Sequence, residues 1–177
     1  MQNYQKPMGT ALKDSHADSG EVTPLQEIDL DFLSSIHDER DSCISIYSPM
    51  TRRVEKERSR IFSTMRMMEQ AVPEDLRESY QGAAAIAGEA LALPPIEGEV
   101  TRVVFVSVPI SFYHVYRLGV ELPPLVVLDA TPALLPLARL NDAYADYGVL
   151  LLDSREARLF TVRSRSMREV EHMSADI

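Results

Sequence analysis

Cys43-Ile44-Ser45-Ile46-Tyr47-Ser48-Pro49 is the stretch on which the fold turns. Apolar and polar residues alternate through it, β-branched and aromatic side chains supply the apolar half, and a proline closes it, which predicts a strand with a firm end. The period then changes. After Thr51, a plausible helix cap, Val54, Ile61, Met65, Met68 and Val72 recur at threes, fours and sevens. That spacing predicts a long helix over residues 52–72 with one apolar stripe. Pro73 ends it, and Pro73-Glu74-Asp75 opens a second helix with acids at its first turn, where the helix dipole favours them. Leu76, Tyr80, Ala83, Ala84, Ala87 and Leu91 share a face rich in small side chains, suited to close packing, and Pro94-Pro95 stops the helix.

Further along, residues 103–108 form a nearly continuous apolar run, as a central buried strand requires. Residues 112–118 and 125–128 predict two more strands, and residues 133–140 a short amphipathic helix. Three short strands follow, at residues 147–152, 158–162 and 169–173, joined by polar turns into a meander. In the other direction, Phe32, Leu33 and Ile36 fall on one face of a short helix within residues 25–36. The first 24 residues are polar and aperiodic and read as a disordered tail. The expected organisation is a tail over residues 1–24, an α/β domain of sandwich type over 25–143, and the start of a second, β-rich domain over 144–177. Three strands without a covering helix are marginal alone. The second domain therefore reads as truncated, docked on the first, or paired with another chain.

The composition, 45% hydrophobic and 25% charged, is that of a folded soluble protein. No apolar run approaches the roughly 20 residues of a membrane helix, and the N-terminus lacks the pattern of a signal peptide. No membrane association is expected, and the cytoplasm is the natural compartment. One cysteine, Cys43, excludes an internal disulfide and a cysteine-rich zinc site, and reads as a small buried hydrophobe. The net charge of −9 repels polyanions unless it is segregated, and in part it is. Residues 1–42 hold nine acids against three bases, residues 51–70 six bases against three acids, and residues 71–100 six acids against one base. Contact with nucleic acid would have to be local, through the middle block.

A catalytic centre is not legible. His16, His37, His114 and His172 lack partners at metal-site spacing, and His114, set among Phe112, Val115 and Tyr116, reads as an edge or structural histidine. The seven glycines form no phosphate-binding loop, so no cofactor is expected. The basic block is the one cluster above background. Arg52, Arg53, Lys56 and Arg60, with Arg58 and Arg66 beside them, follow the strand end and can share a helix face away from the Met/Ile stripe. Such a face could engage phosphates through guanidinium forks. The alternative is a solvated face neutralised by Glu55 and Glu57. Arg155 and Arg158 read as hairpin charges, and Met65, Met67 and Met68 as packing toward the core or a partner.

The strand at residues 43–49 resembles the Ser-x-Tyr-x-Pro strand that opens the N-terminal domain of bacterial relatives of the archaeo-eukaryotic class-1 release factors, in which a long basic-acidic helix also follows. Tyr147-Gly148-Val149-Leu150-Leu151-Leu152-Asp153 and Ala157-Arg158-Leu159-Phe160 resemble the first hairpin of their central, RNase-H-like domain, and the order of elements agrees. The resemblance implies a ribosome-associated role in translation termination or rescue, with ribosomal RNA as partner. Neither the Gly-Gly-Gln loop of hydrolysis nor the Asn-Ile-Lys-Ser codon motif occurs, so the resemblance transfers no catalytic residue and the expectation leans away from an enzyme. The competing reading is an acidic protein-interaction or regulatory module that has left the ribosome. A magnesium nuclease would need clustered acids where only Asp153, with Asp146 at the strand start, is available.

Overall fold

The computed structural model describes residues 21–50, 54–143, 147–152, 156–163 and 166–174. In chain order the elements are α1 (Leu30–Ser35), β1 (Cys43–Pro49), α2 (Val54–Ala71), α3 (Glu74–Ala92), β2 (Thr101–Ser107), β3 (Phe112–Leu118), β4 (Leu125–Asp129), α4 (Leu135–Ala143), β5 (Tyr147–Leu152), β6 (Glu156–Arg163) and β7 (Ser166–Ser174). They divide into two compact units, residues 1–133 and 134–177. The division assigns α4 to the second unit, whereas the sequence reading ends the first domain at residue 143.

The first unit is built on an antiparallel sheet of order β3-β2-β1-β4. β1 is interior and buried at every position, Pro49 included. Alternation directs Ile44 and Ile46 to one face, where the register sets Ile44 beside Val106 and Leu128, and Ile46 beside Val104 and Val126. α2 and α3 pack on this face. Ile61, Met65 and Val72 join Tyr80, Ala83, Ala87 and Leu91 in one core with the strand valines. Each large side chain so buried contributes about 1.5–3 kcal/mol. The alanine face of α3 permits close approach, and at Gly82 even a Cβ would lie 3.3 Å from Val108. Tyr80 Oη donates to the Met65 carbonyl at 2.7 Å, tying the two helices together.

The opposite face carries Ser45, Tyr47, Phe105, His114 and Tyr116. Edge-on rings link Tyr47 to Phe105 and Phe105 to Tyr116, and His114 stacks on Tyr116 and meets Phe32 of α1. The structural reading of His114 on an edge strand agrees with this placement. Ala133 is fixed here by two bonds from the central strand: Tyr47 Oη donates to its carbonyl at 2.6 Å, and its amide donates to Ser45 Oγ at 2.9 Å. With Ala133 so engaged, the helix read from residue 133 begins instead at Leu135.

The short helix expected within residues 25–36 is α1; before it, a single 3-10 turn at Leu25–Glu27 gives way to extended backbone at Ile28. The Asp29 side chain then accepts from the Phe32 amide at 2.8 Å and starts the short α1 afresh. Only Leu33 of the predicted face is fully buried, and Phe32 is 43% exposed. Of the residues read as a tail, 21–24 are described, and they are held in place. Thr23 is buried, donates its amide to the Arg117 carbonyl at 2.7 Å, and accepts the Arg117 amide on Oγ1 at 3.2 Å. Residues 1–20 lie outside the described residues.

The second unit holds α4 and an antiparallel meander of order β5-β6-β7. The register sets Leu150 beside Leu159 and Leu151 beside Arg158, and shifts once between Leu159 and Phe160. β6 and β7 run longer than the sequence reading. Leu150 and Leu151 are both exposed.

Candidate nucleic-acid interface

The basic face belongs to α2. Burial of Ile61 and Met65, with Val54 and Met68 half-buried, orients the helix and turns Lys56, Arg60 and Arg66 to solvent. Lys56 and Arg60 are four residues apart and so lie one above the other. Arg52, Arg53 and Thr51 lie outside the described residues. The described helix carries four bases against three acids, so it is close to neutral. Arg58 donates to Glu55 at 3.1 Å and Arg60 to Glu57 at 3.0 Å, while Lys56 and Arg66 form no ion pair with a described residue. Exposed pairs of this kind contribute about 0.2–0.5 kcal/mol to a helix, so a phosphate could displace either carboxylate at small cost. The methionines divide: Met65 is buried, Met68 is half-buried, and Met67, 65% exposed, lies on the basic flank seven residues beyond Arg60. Arg158 is exposed on β6, and Arg155 lies outside the described residues.

Two polar centres inside the first unit escaped the sequence reading. Asp38 is 1% exposed; its Oδ2 accepts from Ser42 Oγ and Ser107 Oγ, both at 2.6 Å, and its Oδ1 from the Arg40 amide at 3.0 Å. Burial pushes this carboxyl up, but the hydrogen bonds from Ser107, Ser42 and the backbone of Arg40 and Ser42 outweigh it, and its pKa is lowered. Asp38 thereby ties the loop before β1 to the end of β2, 69 residues away. Nothing in its local sequence marks it.

The second centre is Arg102, fully buried at the start of β2. Nε and Nη2 grip both oxygens of Glu99 at 2.7 Å, Nη1 donates to the Ala90 and Leu93 carbonyls, and Nη2 donates to that of Pro94. α3 has no basic residue in its last turn, and Arg102 supplies the missing cation from the sheet. An arginine opening an apolar strand three residues after a glutamate was the available signal.

Cys43 is wholly buried, and burial, with the charge of Asp38, pushes its thiol up to about 12, so it stays protonated. Among the described residues no three His, Cys, Asp or Glu side chains cluster as metal ligands, and no helix is long and apolar enough to cross a membrane.

A four-stranded antiparallel sheet with two helices packed on one face, and a three-stranded meander in the second unit, make a mixed α/β fold. Solved structures share the fold, two of them as follows. One, described as an archaeal protein, has a TM-score of 0.52 at 11% identity over 84% of this chain and 44% of its own. The other, archaeal translation termination factor aRF1, has a TM-score of 0.50 at 11% identity over 84% of this chain and 43% of its own. This chain thus spans less than half the length of either. The model of bacterial archaeo-eukaryotic release factor family 10 matches residues 132–177. No curated protein matches this chain. The family match over residues 132–177 and the shared fold over most of the chain both agree with the resemblance to the bacterial archaeo-eukaryotic release factors.

Proposed function

We propose that this chain acts in the cytoplasm as a ribosome-associated protein of translation termination or rescue, working without a peptidyl-tRNA hydrolysis loop of its own. The observation that carries the proposal is the family match over the second unit, joined to an aRF1-like fold over most of the chain. In this reading the second unit is the beginning of an RNase-H-like domain, and α2 faces ribosomal RNA. Lys56 and Arg66 supply cations that no described carboxylate engages, Arg60 releases Glu57 to reach a phosphate, and Arg52 and Arg53, just before α2 in the sequence, add to the local positive charge. Bases gathered on one helix supply local attraction against an overall charge of −9.

Sedimentation with purified ribosomes across a salt series tests this. Pelleting that falls steeply as salt rises is the expected result. The quadruple variant Arg52→Glu, Arg53→Glu, Lys56→Glu and Arg60→Glu should stay in the supernatant. Wild-type protein that remains in the supernatant at low salt refutes ribosome association, and a variant that still pellets refutes the patch.

The carboxylates already paired with Arg58 and Arg60 favour a second reading, a protein-interaction module that keeps the fold but not the ribosome. Recovery of a single protein partner without ribosomal RNA supports that reading.

A further inference from the structure

The junction of α2 and α3 leaves an apolar cleft of about 370 Å³ over the outer strand of the sheet. Met68 and Ala71 come from the end of α2, Val72 and Pro73 from the link between the helices, Leu76 from the start of α3, and Leu128 from β4. A second hollow, of about 470 Å³, adjoins it, shares Asp41 and Leu76, and is otherwise bounded by Glu39, Arg40 and Asp75. Three carboxylates against one guanidinium make that mouth anionic. β4 is the end strand of its sheet, so alternate backbone amides and carbonyls along it face away from β1.

We propose that this corner docks a short, basic, extended segment of a partner protein. The segment pairs with the outer edge of β4, drops an apolar side chain among Met68, Val72 and Leu128, and sets its cations against Glu39, Asp41 and Asp75. Each part of the occupant matches a part of the site. The open edge selects an extended backbone, the cleft selects an apolar anchor, and the mouth selects positive charge. Length is limited as well. β4 has five residues, lies directly after Pro123-Pro124 and stops short of Pro132, so it offers room for a peptide-length strand and little for a second sheet. This proposal stands apart from the ribosome reading, because the site and the basic patch of α2 use different residues.

The probe is a fluorescein-labelled heptapeptide alternating lysine with valine and leucine, titrated by anisotropy. Controls replace its apolar residues with serine or its lysines with glutamate. Both controls should bind at least about tenfold more weakly, and so should the full peptide toward the double variant Glu39→Lys, Asp75→Lys. That variant exchanges exposed residues, and an unchanged melting temperature establishes that it is folded. Amide shift changes in the wild-type complex should gather on residues 39–41, 68–76 and 125–129. Equal affinity for the serine peptide, indifference to the double variant, shifts gathered on residues 56–66, or occupation of the β4 edge by a second copy of the chain would each overturn the proposal. None of these outcomes bears on ribosome sedimentation.

Discussion

Asp38 keeps a charge inside the first unit by hydrogen bonds and not by a counter-ion, and every partner is a hydroxyl or a backbone amide. Its carboxyl titrates lower in the folded chain than in the unfolded one. The stability it adds is therefore fully present above the ordinary carboxylate range and is lost as pH falls through the lowered folded value. Asp38→Asn should cost about 2 kcal/mol at neutral pH, the scale of hydrogen bonds to a charged group. The gap between variant and wild type should close on acidification. Urea melts at pH 7 and pH 3 measure both, and a gap that is constant or wider at pH 3 would show that the carboxylate charge plays no part. Tyr47 and Tyr80 also lie buried; burial raises both hydroxyls, with the Glu69 charge adding to the rise at Tyr80, so both remain donors at neutral pH.

At the scale of elements, the end of α3 depends on a residue that belongs to β2. Removing the Arg102 side chain leaves the buried Glu99 carboxylate and three carbonyls without their shared donor. Arg102→Met should destabilise by about 3–5 kcal/mol, the cost of breaking one side of a buried ion pair, and amide exchange should accelerate first in the last turn of α3. A loss below about 1 kcal/mol in a denaturant melt would contradict this accounting. β1, α2 and α3 were legible in the sequence because period alone distinguishes a strand from an amphipathic helix, and Pro49, Pro73 and Pro94 punctuate them. The short helix within residues 25–36 was legible from Phe32, Leu33 and Ile36, but its start was not, because the Asp29 cap is a local competition that periodicity does not register. Asp38 was illegible for another reason: its partner Ser107 is brought near only by the sheet. Of the candidate interface, the solvent-facing side was readable from spacing, and so were Glu55 and Glu57 as its neutralising acids. Which guanidinium each acid takes, and the separation of Met67 from Met65, needed the packing of α2.

For the whole molecule, the members of the central core among the described residues all come from residues 44–128, within the first unit. A fragment of residues 21–133 should accordingly fold alone and melt cooperatively by circular dichroism; a fragment lacking cooperative melting would show that the core depends on residues 134–177. The division of labour between the units also explains where recognition was possible. The family match rests on residues 132–177, whereas the fold likeness reaches over most of the chain at 11% identity. The last residue of the first unit, Ala133, is held by Ser45 and Tyr47 in the middle of the sheet and not at its rim. A tug on the chain beyond it is first met by the Ser45 and Tyr47 side chains of an interior strand anchored on both flanks. The first unit is in this sense moored at its keel, and load reaches β4 at the rim only after those two hydrogen bonds give way.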